Sequence, residues 1–168
     1  MFLIVMGVSG CGKSTIGKLL AERLDWPFYD GDDFHPAAKV AKMSQGIPLD
    51  DSDRAGWLAV LADLIRASLE HNESGVVACS ALKQQYREQL CVDAARVKFV
   101  YLKGSYELIK ARMLARPSHY MKPGMLDSQF ADLEEPDDAI TVSIDTSPEE
   151  VVLEVLKQVD RQNRAHEK

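Results

Sequence analysis

Short apolar runs alternate along this chain with longer stretches in which apolar residues recur every three to four positions. Phe2 to Met6 is an unbroken apolar run of strand length, the pattern of a strand covered on both faces. A glycine-rich turn follows, and then Ile16, Leu19, Leu20 and Leu24 share one face at helical spacing. Phe28-Tyr29 predicts a brief second strand that ends in Asp30-Gly31-Asp32-Asp33. Trp57, Leu58, Leu61, Leu64, Ile65 and Leu69 mark a long amphipathic helix. After the turn residues Asn72 to Gly75, Val76 to Cys79 predicts a third strand, with a helix running on to about Leu90. Val97 to Leu102 predicts a fourth strand and Tyr106 to Ala115 another helix. A polar segment from Arg116 to about Glu135 breaks the pattern before a fifth strand at Ile140 to Ile144. Ser147-Pro148-Glu149-Glu150 has the form of a capping box with proline at the first helical position, and Val151, Val152, Val155, Leu156 and Val159 form the buried side of the last helix.

Strands alternating with helices imply right-handed βαβ units and a five-stranded parallel sheet with helices on both faces. The expected fold class is therefore α/β with three layers. The chain has 168 residues, so residues 1–168 are expected to make one domain. Ligands of such sheets bind beyond the carboxyl ends of the strands, and the distinctive residues of this chain cluster there.

Composition narrows the function. The net charge of −6 argues against nucleic acid as a partner, which needs a basic face. No apolar run reaches the length of a membrane span, and Phe2 to Met6 lacks the basic flank of a secretion signal. Cys11, Cys79 and Cys91 include no Cys-x-x-Cys spacing, and reduced thiols in a cytoplasmic protein are expected.

Gly7-Val8-Ser9-Gly10-Cys11-Gly12-Lys13-Ser14 satisfies the phosphate-loop pattern, directly after a strand and directly before a helix. Its glycines let successive backbone N–H groups turn inward around an anion, and the helix N-terminus adds partial positive charge. Lys13 is expected to bridge the outer phosphates of ATP, and the Ser14 hydroxyl to ligate Mg2+. At Cys11 the loop needs only the backbone amide. No Asn-Lys-x-Asp motif for guanine is present, and the third strand runs into Ser80 instead of a carboxylate. Asp30, at the end of the second strand, is then the expected carboxylate on the magnesium side. That arrangement suits a small-molecule kinase better than a switch or motor protein.

Asp30-Gly31-Asp32 places two carboxylates two residues apart, one for the magnesium shell and one for an acceptor hydroxyl. Read alone, the same residues also describe an acidic turn before the helix that follows Pro36. Lys83 and Arg87, four apart, would share a helical face and suit an anionic acceptor, although an ordinary solvated face fits them equally. Arg112, Arg116, His119 and Lys122 precede or line the polar segment, where a lid would close over the phosphates. Arg116 is the candidate for the transferring phosphoryl group, and Arg112 for the nucleotide.

These residues together resemble the small, thermoresistant type of gluconokinase, within the P-loop kinase superfamily. The markers are Gly7 to Thr15, Asp30 to Pro36, Lys42-Met43 with Gly46 and Pro48-Leu49, Asp53-Arg54 with Trp57-Leu58, Cys79 to Lys83 with Tyr86-Arg87, and Ser128-Gln129-Phe130. The resemblance implies ATP and Mg2+ as cosubstrates, D-gluconate as acceptor, and a cytoplasmic homodimer with a lid around residues 116–135. It also implies that Asp32, His35, Arg54, Lys83, Arg87, His119 and Gln129 line the gluconate side. Lys39 stands where the family usually has asparagine. Two other readings stay open: a kinase for another small hydroxy acid such as shikimate, and a nucleotide-binding regulator without transfer activity.

Overall fold

The computed structural model describes residues 1–116 and 123–166. Its centre is one sheet of five strands, β1 (Phe2–Met6), β2 (Phe28–Asp30), β3 (Gly75–Ala78), β4 (Val97–Lys103) and β5 (Ile140–Ser143). Their spatial order is β2-β3-β1-β4-β5 and every pair is parallel, with Val5 beside Ala78 on one side and Val100 on the other. From β1 the chain goes to the edge at β2, returns to β3 beside β1, and then crosses to β4 and β5 on the other side. That crossing point is where open parallel sheets take their ligands, and the phosphate loop follows β1.

Alternate residues of β1 face opposite layers. Leu3 and Val5 pack with α1 (Lys13–Leu24), α5 (Tyr106–Leu114) and α7 (Pro148–His166) through Ile16, Leu20, Ile109, Val151 and Val155. Phe2, Ile4 and Met6 pack with α3 (Asp51–Glu70) and α4 (Gln84–Leu90) through Trp57, Leu58, Leu61, Ile65, Tyr86 and Leu90. Both faces are thus buried, which is why β1 reads as an unbroken apolar run. The expected three-layer α/β architecture is the one found.

Several element ends are set by polar chemistry. Helix α3 begins at Asp51, six residues before its apolar stripe. There Asp50 accepts from the Asp53 N–H at 2.7 Å and Asp53 accepts from the Asp50 N–H at 3.1 Å. The capping box at Ser147 is present as expected, with Glu150 N–H donating to Ser147 Oγ and Ser147 N–H donating to Glu150 Oε2. Two helices go beyond the sequence expectation in detail. The first, α2 (Ala37–Ser44), buries none of its residues. The second, α6 (Pro123–Asp132), occupies part of the polar segment expected to be a lid. Leu126, 3% exposed, and Phe130, edge-on to Tyr106, hold α6 against the body of the protein.

Candidate active site

The phosphate loop folds as its glycines dictate. Gly7, Gly10 and Gly12 all take positive φ, a region open to glycine at little cost. Gly12 forms the N-cap of α1 without a side-chain cap, leaving the first amides of the helix for an anion. Lys13 Nζ donates to the Val8 carbonyl at 3.0 Å. Ser14 Oγ donates to Asp30 Oδ2 at 2.8 Å, which joins α1 to the end of β2.

A cavity of about 380 Å³ opens beside the loop. Its walls include Ser9, Lys13, Ser14, Asp30, Asp32, His35, Arg54 and Gln129, with Met43, Leu49 and Trp57 as apolar surface. Eight residues read as candidates from the sequence are thereby brought together. The turn that carries the acidic pair is rigidly held. Trp57 Nε1 donates to the Gly31 carbonyl at 2.7 Å, and the Trp57 ring stacks on His35 at 4.0 Å. Gly31 lies so close to β3 that a Cβ would sit 2.5 Å from the Ala78 oxygen. His35 Nε2 is 3.7 Å from Asp32 Oδ1. The His35 ring beside it, with Lys13 nearby, holds the Asp32 carboxyl below the usual carboxylate range despite opposing desolvation. Asp32 is thus an ionised hydrogen-bond acceptor and a weak base.

Helix α6 reaches the phosphate loop through Gln129. Its Oε1 accepts from the Ser9 N–H at 2.6 Å, and its Nε2 donates to Ser9 Oγ at 2.8 Å. A side-chain amide therefore satisfies one of the loop amides that an anion would use. On the other side of the loop a second cavity, about 360 Å³, is lined by Gly10, Cys11, Gly12 and Thr15 with Arg112, Arg116, Ile144, Thr146 and Val151. Arg112 donates to the Ile144 carbonyl at 2.5 Å. This cavity suits a nucleotide base and sugar, with apolar walls and guanidinium groups to lie against a ring.

Three expectations change. Arg116 lines this second cavity beside Arg112, and is not among the residues of the cavity that holds Lys13 and Asp32. Arg87 is 4% exposed, and its guanidinium donates to the carbonyls of Ala81 and Leu82, both at 3.0 Å, and to Gln84. It braces the turn after β3 and does not line the acceptor cavity. Lys83 is the extended N-cap of α4, so it does not share a helical face with Arg87. It donates to Asp51 instead, at 3.0 Å. His119 lies outside the described residues.

Asp53, Lys42 and Tyr86 entered the sequence reading only as family markers and Lys39 only as a departure, with no contact assigned to any of them. Asp53, side chain 8% exposed, accepts from both Lys39 and Lys42 and so ties α2 to α3. Those two lysines hold its carboxyl well below the usual range. Lys39, at the family's asparagine position, has a partner here. Tyr86, 5% exposed, donates its hydroxyl to Asp51. A buried tyrosine hydroxyl needs a partner, and that was the available signal.

Comparison with known proteins fits this geometry. A family model described as shikimate kinase matches residues 9–160. The thermosensitive gluconokinase of Escherichia coli is 50% identical over 133 residues, covering 79% of this chain and 71% of that protein. The thermoresistant gluconokinase of the same organism is 41% identical over 162 residues, covering 92% and 93%. A gluconokinase structure from Sinorhizobium meliloti superimposes with a TM-score of 0.90 at 37% identity, covering 99% of this chain and 96% of that one. The phosphate loop is common to many kinases, whereas identity at this level runs over most of the chain. The chain belongs to the gluconokinase family of P-loop kinases and is a phosphotransferase that uses ATP.

Proposed function

We propose that the protein transfers the γ-phosphoryl group of MgATP to the 6-hydroxyl of D-gluconate. The observation that carries this reading is the meeting of the phosphate loop with Asp32, His35, Arg54 and Gln129 around one cavity. The gluconokinase relatives favour gluconate over shikimate as acceptor. ATP enters with its phosphates in the loop and its base against Arg112 and Arg116. Lys13 leaves the Val8 carbonyl to balance charge on the outer phosphates. Ser14 and Asp30 offer two hard oxygen donors 2.8 Å apart, a fit for Mg2+, which keeps most of its shell for water and phosphate. When bound, that ion supplies charge neutralisation on the phosphates.

On the acceptor side, Arg54 meets the carboxylate of gluconate as a fixed two-pronged donor. Asp32 accepts the hydrogen bond of the attacking hydroxyl and aims its oxygen at phosphorus. A loose phosphoryl transition state asks little of a base, so an Asp32 of lowered basicity is sufficient. Catalysis is then chiefly positioning and charge stabilisation. Lys83 sits one layer back from the cavity, and His119 is assigned to the gluconate side on family resemblance alone. The same reading carries a single functional domain acting as a cytoplasmic homodimer without nucleic-acid or membrane partners. Sedimentation of the purified chain tests the dimer. Among the described residues no helix is long and apolar enough to cross a membrane.

The test of the reaction is the product. Phosphorus NMR after incubation with MgATP and D-gluconate should show a new phosphomonoester coupled to the C6 protons. A phosphoester elsewhere on the chain, or only inorganic phosphate, would refute the assignment. Lys13→Ala should abolish product while leaving the circular dichroism spectrum unchanged.

A further inference from the structure

Arg54 enters the acceptor cavity from the first turns of α3, and its long side chain has many rotamers to choose among. Two groups outside the cavity restrict that choice. Arg54 Nη1 donates to Tyr86 Oη at 3.2 Å, and the guanidinium lies over the Tyr86 ring, 5.5 Å from its centroid. Tyr86 Oη donates in turn to Asp51 Oδ1, which also accepts from Lys83 Nζ at 3.0 Å. Neither Tyr86 nor Asp51 lines the cavity.

The direction of this relay follows from proton count. A phenol has one proton to give, and here it is committed to the Asp51 carboxylate. The lone pairs of the oxygen are left facing Arg54, so the hydroxyl can only accept from the guanidinium. Lys83 lies over the same ring, 5.8 Å from its centroid, and compensates the charge of Asp51. Asp132 of α6 approaches both cations, at 3.8 Å from Arg54 and 4.0 Å from Lys83. Those separations are too long for hydrogen bonds, so α6 does not claim the donors of the guanidinium.

We propose that Tyr86 and Asp51 are positioning residues for acceptor binding, holding Arg54 in the one orientation that meets the carboxylate of the acceptor. The inference rests on the reading that Arg54 is the partner of that carboxylate. Its chemistry is stable over a wide pH range. Hydrogen bonds from Tyr86 and Lys83 hold the Asp51 carboxyl down to about 2, while burial raises the Tyr86 phenol. Donor and acceptor therefore keep their roles throughout the neutral range.

A double-mutant cycle on the full chain tests this, reading kcat/KM for D-gluconate and KM for MgATP. Tyr86→Phe keeps the ring under the guanidinium and removes only the hydroxyl. It should lower kcat/KM for gluconate about tenfold, the scale of one hydrogen bond to a charged group. KM for MgATP should stay within twofold. In an Arg54→Ala background the same substitution should have less than a twofold effect, because the group through which it acts is gone. Equal losses in both backgrounds would show a general structural role and overturn the proposal. Asp51→Asn, a change at a half-exposed side chain, should reproduce the gluconate effect at smaller size; no effect would remove Asp51 from the relay. If the unsubstituted enzyme does not phosphorylate gluconate, the functional reading itself fails; additive losses in an active enzyme sink only the relay.

Discussion

Trp57 joins the stability of the fold to the acceptor cavity, and Trp57→Phe separates those contributions. The indole is 3% exposed, donates to the Gly31 carbonyl at 2.7 Å and stacks on His35. Phenylalanine keeps the aromatic face but has no N–H, which orphans a buried carbonyl at a cost of about 2 kcal/mol. The smaller ring also leaves about 40 Å³ unfilled, worth about 1 kcal/mol if the site does not collapse. The sum, about 3 kcal/mol, corresponds to a fall in melting temperature of about 9 °C for a chain of this size. Circular dichroism at 222 nm against temperature and against urea measures it, with the midpoint moving and the slope unchanged. Because the Gly31 turn carries Asp32 and His35, KM for gluconate should rise while KM for MgATP holds. A melting point within 2 °C of the parent, or equal damage to both substrates, would refute this account of the turn.

Other perturbations reach different parts of the molecule. Gln129→Ala frees the Ser9 amide that an incoming phosphate needs, so MgATP should bind severalfold tighter by calorimetry while gluconate turnover falls; weaker MgATP binding would contradict the contact. Asp51 and Asp53 have folded-state pKa values below their unfolded ones, Asp51 at about 2. Their stabilisation is fully present above the unfolded value of about 4 and falls away as pH drops toward 2, that of Asp53 persisting to lower pH than that of Asp51. Melting temperature should therefore drop over that window, and Asp53→Asn should melt lower than the parent at pH 7, with the gap narrowing as pH falls from about 4 to 2. Burial raises the Cys79 thiol to about 12 and also raises Cys11, and both are buried. A disulfide reagent at pH 8 should titrate at most Cys91 in the native protein and all three thiols in denaturant.

The fold was legible because β1 and β3 are contiguous apolar runs, β4 and β5 keep apolar residues at their buried positions, and each long helix carries an apolar stripe. Helix α6 was less so, since only Leu126 and Phe130 mark its packed side inside a run of acidic and polar residues. Helix α2 left no apolar signature because it buries nothing, and lysine–Asp53 pairs hold it instead. The phosphate loop was fully readable, as its function depends on consecutive backbone groups. The acceptor side was readable in its members but not in their directions. Lys83 and Arg87 are four apart, yet Lys83 is an extended cap and Arg87 turns back onto its own turn. Spacing identifies a helical face only once the first helical residue is known. Tyr86 and Trp57 stood in plain sight as core aromatics, and only coordinates show that their polar atoms hold the acceptor residues in place.

A single cavity that joins MgATP to gluconate makes transfer specific for that acid. ADP release from MgATP should be measured across D-gluconate, other aldonates, shikimate and no acceptor. Strong release is expected with D-gluconate and only background elsewhere. Release with shikimate instead, or none with any acid while ATP still binds, would contradict it.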